Sequence, residues 1–172
     1  MIVIMAGLPG SGKSWLAKNI YKKIDAYILD RDRIRNLIFP SEEVDYSPEQ
    51  NELASQVSYQ VAEFILSRHP ERCIILDGRP FSKKKQIDII RDMAIRLGHI
   101  LKIIYCVAPD DIVRERLVSD KMDPRKALAG RNMDKYFRIK ESFEPIIYPH
   151  LIVDTSRPRN EIIELAIAFL KN

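Results

Sequence analysis

The chain has few of the residues and patterns that mark several specialised classes of protein. Its two cysteines, Cys73 and Cys106, both lie inside apolar runs of the 172-residue sequence. They give no disulfide framework and no metal-binding spacing, and they favour a reducing compartment. No run approaches the roughly 18 consecutive apolar residues that a membrane-spanning helix needs. The formal net charge of +4 favours anionic ligands but is too small to indicate nucleic-acid binding by itself.

The remaining composition is typical of a soluble globular protein, with 46% hydrophobic and 30% charged residues. The length suits one domain over 1–172. The apolar start lacks the basic region and the small-residue cleavage site of a secretory signal. We therefore expect a cytoplasmic protein. The sequence leaves the oligomeric state open, with a homodimer among the options.

Short apolar runs rich in Ile and Val recur along the chain without alternating with polar residues. This pattern indicates strands buried on both faces of a parallel sheet. The predicted strands are 2–6, 26–29, 73–76, 102–108 and 150–154.

Helical patterns lie between these runs. They predict helices at 13–23, 31–38, 48–66, 82–97, 109–119, 132–142 and 158–170. In the third helix, Leu53, Val57, Val61 and Ile65 recur at every fourth position and predict its apolar face. The alternation of strands and helices predicts an α/β fold: a five-stranded parallel sheet with helices on both faces, in three layers.

Three of the six glycines fall within MAGLPGSGKS, residues 5–14. This stretch follows a predicted strand, opens a helix and fits G-x-x-x-x-G-K-[ST], the Walker A or P-loop pattern. Glycines let backbone N–H groups converge on phosphate, the lysine reaches the β- and γ-phosphates, and the serine hydroxyl binds Mg²⁺. The pattern predicts a P-loop NTPase fold that binds ATP and Mg²⁺. The predicted nucleotide-binding residues are Gly7, Pro9, Gly10, Ser11, Gly12, Lys13 and Ser14.

Carboxylates end two further predicted strands, at the sheet edge where ligands bind in such folds. In ILDGRPF, Asp77 follows an apolar run and is a candidate for positioning Mg²⁺; its alternative role is a cap for the next turn. In LDRDRIR, either Asp30 or Asp32 caps the helix that begins there.

A kinase needs a carboxylate near the acceptor hydroxyl and a cation for an anionic acceptor. Asp32 with Arg35, one helical turn on, could supply both. Arg31 and Arg33 are expected to face solvent.

Several motifs together resemble adenylylsulfate kinase, which has an L-D-G-D-N-I-R stretch, an S-P-E segment and a late A-x-A-G…F…Y-E-P…D-T-S run. The corresponding stretches here run in order along nearly the whole chain: LDRDRIR at 29–35, YSPEQNE at 46–52, KALAG at 126–130, YFRI at 136–139, FEP at 143–145 and VDTS at 153–156. The resemblance implies an acceptor site containing Asp32 and Arg35, with Phe137 stacking on a base of the acceptor. The chain departs from that pattern at Arg33, where adenylylsulfate kinase has Asn, and at Asp77, which has no counterpart there.

The chain also resembles polynucleotide-kinase-like and zeta-toxin-like kinases, which carry G-x-P-G-S-G-K-S, a D-x-x-R stretch and a strand that ends in Asp. Gly7 to Ser14, Asp32 to Arg35, and Asp77 match these features. LDGRP at 76–80 is similar to the Asp-Gly-x-Pro turn of adenylate kinases, and Arg79 within it is a further candidate for substrate binding.

The segment 119–131, SDKMDPRKALAGR, is polar and basic and interrupts the alternation of strands and helices. It predicts a short mobile lid over the ligand edge of the sheet. The resemblance to P-loop kinases implies that Arg116 stacks on adenine and that Arg125 and Arg131 reach the phosphates. All three arginines are therefore catalytic candidates, together with Lys13 and Asp32.

The leading interpretation is an ATP-dependent kinase that transfers the γ-phosphate to a hydroxyl of a small anionic acceptor, with adenylylsulfate as the first candidate. One alternative is a kinase acting on a polynucleotide or tRNA hydroxyl. The chain has no basic run longer than KKK at 83–85, which does not favour that alternative. A regulatory nucleotide-binding NTPase is an alternative of another class, and it leaves Asp32, Arg35 and the lid unexplained.

Overall fold

The computed structural model describes residues 1–121 and 132–172. Its strands are β1 (Ile2–Ala6), β2 (Ala26–Asp30), β3 (Cys73–Asp77), β4 (Leu101–Val107) and β5 (Leu151–Asp154). They form one sheet of five strands in the order β2-β3-β1-β4-β5, and every pairing is parallel. The predicted strands are confirmed to within one residue at each end.

The α-helices are α1 (Lys13–Ile20), α2 (Arg31–Ile38), α3 (Pro48–Arg68), α4 (Lys84–Arg96), α5 (Asp110–Lys121), α6 (Met133–Glu141) and α7 (Arg159–Lys171). Short 3₁₀ turns follow α1 and α2, at Tyr21–Lys23 and Ser41–Glu43. Among the residues described, no helix is both long and apolar enough to cross a membrane.

Helices cover both faces of the sheet, which confirms the predicted three-layer α/β arrangement. On one face, α1 and α7 pack over Val3, Met5 and Ile75. On the other, α3 and α4 pack over Ile2 and Ile4. Strand β1 lies at the centre and is completely buried. The strands are continuous runs of Ile and Val because helices cover both faces of the sheet, so side chains on either face are buried.

The predicted apolar face of α3 is wrong by one position. Leu53 and Val61 are exposed, and the buried positions are Ala54, Ser55, Ser58, Ala62 and Leu66. Small side chains allow the helix to lie close to its neighbours. The hydroxyls of Ser55 and Ser58 donate to the backbone oxygens four residues earlier, at 2.8 and 2.7 Å, so their burial leaves no unpaired hydroxyl.

The start of α3 follows the sequence more closely, because YSPEQ predicts Ser47 as the cap, Pro48 at the first helical position and Gln50 completing a capping box. Ser47 Oγ accepts the N–H of Gln50 at 3.2 Å, and Pro48 occupies the first helical turn. The Gln50 side chain does not complete a capping box. It accepts the N–H of Asp45 and donates to the carbonyl of Glu43, which ties the preceding loop to the helix.

Candidate active site

The P-loop connects the central strand β1 to α1 and forms one wall of the site. Gly7 has φ +137°, and a β-carbon there would collide with the carbonyl oxygen of Cys106 on the adjacent strand β4. Gly12, in the left-handed region at φ +83°, is the N-cap of α1 and offers no side-chain cap. The first N–H groups of α1 therefore face the loop, as an anion-binding helix start requires.

Lys13 lies across this loop and is almost fully buried. Its Nζ donates to the carbonyl of Leu8 at 2.7 Å and lies 3.4 Å from Ser11 Oγ. The ammonium group is thus held within the loop beside the converging N–H groups. This is the arrangement in which a lysine binds the β- and γ-phosphates.

Asp77 lies at the end of β3, directly beside the start of α1. Its side chain is 3% exposed, and a hydrogen bond from Ser14 reaches it. Burial raises the pKa of Asp77, while the hydrogen bonds from Ser14 and Gly78 oppose that shift. Its Oδ1 has no hydrogen-bond partner within the described residues.

The Ser14–Asp77 pair fits Mg²⁺, a hard cation that takes oxygen ligands and usually binds through one or two carboxylates plus substrate phosphates. An unpaired buried carboxylate oxygen beside a P-loop hydroxyl supplies that donor set. Residues 1–121 and 132–172 contain no group of three or more His, Cys, Asp or Glu side chains that could hold a metal.

The structure separates the roles of Asp30 and Asp32. Asp30 Oδ1 accepts the N–H groups of Asp32 and Arg33, at 2.9 and 3.3 Å, so Asp30 is the cap of α2. The side chain of Asp32 lines the cavity instead, and its Oδ1 accepts from Arg35 Nη2 at 2.8 Å and from Arg31 Nη2 at 3.1 Å.

Arg35 is completely buried at the base of this wall. Its Nη2 also donates to Asn51 Oδ1, and its Cζ lies 4.6 Å from the centre of the Tyr46 ring. Asn51 Nδ2 donates to the carbonyl of Tyr46 at 2.9 Å. Tyr46 has a positive φ of 57°, which this hydrogen bond and the cation–π contact help to hold. Sequence reasoning missed Tyr46 and Asn51, although both lie in the YSPEQNE stretch.

The expectation for Arg31 is wrong, whereas Arg33 is exposed as predicted. The Arg31 side chain is 15% exposed and turns into the cavity beside Asp32. It turns in this direction because its guanidinium forms a salt bridge with the carboxylate of Asp32. The start of α2 also lies against Gly78, where a β-carbon would come within 3.2 Å of Arg31.

Arg116, on α5, closes the other end of the site. It donates to the carbonyl of Gly10 at 3.2 Å and, through two nitrogens, to Thr155 Oγ1 and Thr155 O at 2.8 Å each. It therefore joins the P-loop to the loop after β5. Arg159 lies over the ring of Trp15, 5.6 Å from its centre, at the same end. Adenine stacking on Arg116 stays a prediction.

These walls enclose a cavity of about 480 Å³. Of the predicted residues, it brings together Pro9, Gly10, Gly12, Lys13, Ser14, Asp32, Arg35 and Arg116. Sequence reasoning missed several other lining residues, namely Trp15, Lys18, Tyr46, Asn51, Pro80, Lys135, Thr155 and Arg159. Trp15 is the only tryptophan and directly follows the P-loop serine, so its place in the sequence was a further signal.

Two predicted substrate residues are not brought to the cavity. Arg79 donates to Glu52 Oε2 at 2.9 Å and to Tyr59 Oη at 3.2 Å, so its guanidinium points to α3. Phe137 is 40% exposed and packs edge-on against Tyr136. Neither residue lines the cavity as far as the described residues define it.

Arg125, Arg131 and most of the predicted lid lie outside the described residues. The part of 119–131 that the structure includes, 119–121, belongs to the end of α5. Asp120, within it, lines the cavity.

The chain is similar to proteins of known family and fold. A family model described as AAA domain matches residues 2–145. The adenylate kinase of Rickettsia akari (strain Hartford) is 31% identical over 125 residues, which make up 69% of this chain and 57% of that protein. The chain thus matches little more than half the length of this curated relative.

Two solved structures share the fold over almost all of this chain. The APS kinase CysC of Mycobacterium tuberculosis, in complex with AMPPNP and APS, has a TM-score of 0.71 and 20% identity, covering 99% of this chain and 97% of its own. A gluconokinase from Sinorhizobium meliloti 1021 has a TM-score of 0.65 and 18% identity, covering 98% of this chain and 90% of its own. At such identities the similarity extends to the fold alone.

Proposed function

The chain belongs to the family described as AAA domain, whose model matches residues 2–145, and from this premise we propose that it is an ATP-dependent kinase. It transfers the γ-phosphate of ATP to a hydroxyl group of a small anionic acceptor. The adenylate kinase relative and the kinase folds among its structural neighbours support this reaction class.

One observation carries the proposal. A single cavity is lined by Lys13 and Ser14 on the P-loop side and by Asp32 and Arg35 on the α2 side. A nucleotide-binding protein without an acceptor does not require a carboxylate–guanidinium pair opposite the phosphates. A kinase needs such a pair, because phosphoryl transfer depends mainly on positioning and on charge stabilisation.

The residues divide the reaction between them. The N–H groups of the P-loop and Lys13 bind the β- and γ-phosphates. Ser14 and Asp77 would hold Mg²⁺, which when bound offsets negative charge on the phosphates. Asp32 accepts the proton of the acceptor hydroxyl as its oxygen attacks the γ-phosphorus. Arg35 holds the anionic part of the acceptor, and Arg116 closes the nucleotide end.

Two acceptors of the same class head the list of candidates. Adenylylsulfate is favoured by the LDRDRIR, YSPEQNE and VDTS stretches and by the fold shared with an APS kinase. A sugar acid such as gluconate is favoured by the fold shared with a gluconokinase. It is also favoured by the position of Phe137, whose ring packs on Tyr136 where adenylylsulfate would require it to stack on a base.

Acceptor-dependent formation of ADP tests the proposal. The purified protein is given ATP and Mg²⁺ with adenylylsulfate, gluconate, a 5′-hydroxyl oligonucleotide or no acceptor. We expect one of the small anions to accelerate ADP formation, and Lys13→Ala to abolish that acceleration. ADP formation that is equal with and without every acceptor would support the regulatory NTPase. Acceleration by the oligonucleotide alone would support the polynucleotide kinase.

A further inference from the structure

Arg31 lies in the acceptor half of the cavity, but nothing in the reaction outlined above uses it. Its Nη2 donates to Asp32 Oδ1 at 3.1 Å, the oxygen that also accepts from Arg35 at 2.8 Å. Asp32 therefore joins two guanidinium groups side by side. Both are withdrawn from water, since the side chains of Arg31 and Arg35 are 15% and 0% exposed.

Three donors of this pair are unpaired within the described part of the chain. Arg31 Nε, Arg35 Nε and Arg35 Nη1 are buried and make no hydrogen bond to any described residue. A buried donor without a partner costs free energy, and most such groups in folded proteins are paired. Oxygen atoms of a ligand between the two arginines would supply the missing acceptors.

The charges lead to the same conclusion. Among the described residues, Asp32 is the carboxylate that forms salt bridges with both guanidinium groups, so two buried positive charges share one carboxylate contact. A buried charge needs a partner of opposite sign. Burial lowers the pKa of Arg31 and the charges of Arg35 and Arg79 lower it further, while Asp32 opposes that shift. An anionic group beside Arg31 would remove this imbalance.

We propose that Arg31 and Arg35 together bind the oxyanion group of the acceptor, and that Arg31 determines which acceptors are used. The substrate class is a short hydroxylated compound with a carboxylate, phosphate or sulfate group. That group lies between the two guanidinium groups, and the hydroxyl lies next to Asp32. This inference rests on the kinase function proposed above.

Arg31→Gln is the decisive variant, because glutamine keeps a polar chain that can still donate to Asp32 but removes the charge. Its matched control is Arg33→Gln, which removes the same charge from an exposed position two residues away. Both variants are compared with the wild type for melting temperature, for ATP affinity and for KM and kcat of the acceptor.

We expect Arg31→Gln to raise the acceptor KM about ten- to a hundredfold, the loss expected for a charge-assisted hydrogen bond, with a smaller change in kcat. Arg31→Lys should restore part of the affinity. ATP affinity should not change, and Arg33→Gln should behave as the wild type. The acceptors in the panel separate the possible anions: gluconate for carboxylate, glucose 6-phosphate for phosphate, adenylylsulfate for sulfate, and sorbitol as the neutral control.

An unchanged acceptor KM in Arg31→Gln, or equal use of sorbitol and the anions, would overturn the proposal. A raised KM for ATP instead of the acceptor would overturn it as well, since Arg31 would then act on the nucleotide. Failure of the kinase function itself gives a different result, in which the wild type transfers phosphate to no acceptor. In that case anion binding is still tested by thermal shift with gluconate, glucose 6-phosphate or sulfate. These anions should raise the melting temperature of the wild type and not that of Arg31→Gln.

Discussion

Asp32→Asn tests whether Asp32 accepts the proton of the acceptor hydroxyl. The substitution keeps the size of the side chain and removes its charge. A general base typically contributes about 10²- to 10⁴-fold to the rate, so turnover should fall by that order. ATP affinity should change little, because Asp32 lies on α2, across the cavity from Lys13 and the P-loop.

The structure also sets the stability cost of this substitution. Asp32 accepts from Arg35 at 2.8 Å and from Arg31 at 3.1 Å. Each charge-assisted hydrogen bond contributes about 1.5–3 kcal/mol and a neutral one about 0.5–1.5 kcal/mol, so the variant should lose roughly 2 kcal/mol. For a chain of this size that loss corresponds to a fall in melting temperature of about 4–8 °C.

Thermal unfolding, ATP binding and turnover are measured on the same sample of the variant. Ile90→Val provides the control for destabilisation alone, because Ile90 is completely buried in α4 and does not line the cavity. It should cost about 0.5–1.5 kcal/mol and leave turnover nearly intact below its melting temperature. An Asp32→Asn protein that is destabilised but turns over at the wild-type rate would remove Asp32 from the chemistry.

Four further predictions concern the rest of the site and the core. Lys13→Ala should lower ATP affinity by the roughly 1.5–3 kcal/mol of a charge-assisted contact and abolish turnover, with little change in melting temperature; unchanged ATP binding by calorimetry would contradict the P-loop assignment. Asp77→Asn should raise the Mg²⁺ concentration needed for half-maximal rate, as Ser14→Ala should. Because burial raises the pKa of Asp77, stability is lost as pH rises from the ordinary carboxyl pKa to that raised pKa, and the loss persists at higher pH. Asp77→Asn should therefore raise the melting temperature measured at neutral pH in EDTA, and a lowered one would contradict this. Burial raises the pKa of Cys73 to about 11 and that of Cys106 to about 12, so iodoacetamide at pH 8 should modify neither thiol until urea unfolds the protein.

Local patterns were sufficient to predict the sheet and the P-loop. A buried parallel strand is a continuous apolar run, and a phosphate-binding turn needs glycines at fixed spacing, so both leave a signal within about ten residues of sequence. The order β2-β3-β1-β4-β5 then places the ends of β2 and β3 beside the P-loop. That is why Asp32 and Asp77 could be selected before their positions were known.

The direction of long side chains could not be predicted in the same way. Arg79 follows Asp77 closely, yet it turns to Glu52, which is 27 residues away in sequence, and to Tyr59 on the same helix. Arg31 and Arg33 are two residues apart, but only Arg31 faces the cavity, because the carboxylate of Asp32 lies on that side. Such choices depend on neighbours that the fold brings together, and no short stretch of sequence contains them.

The destination of the γ-phosphate tests the central claim most directly. ATP labelled in that phosphate is incubated with Mg²⁺, the acceptor that accelerates ADP formation, and either wild-type protein or Asp32→Asn. We predict that the wild type moves the label onto a hydroxyl oxygen of the acceptor, with little free inorganic phosphate, and that Asp32→Asn does so about 10²- to 10⁴-fold more slowly. Label released as inorganic phosphate at the same rate with and without acceptor would contradict the account.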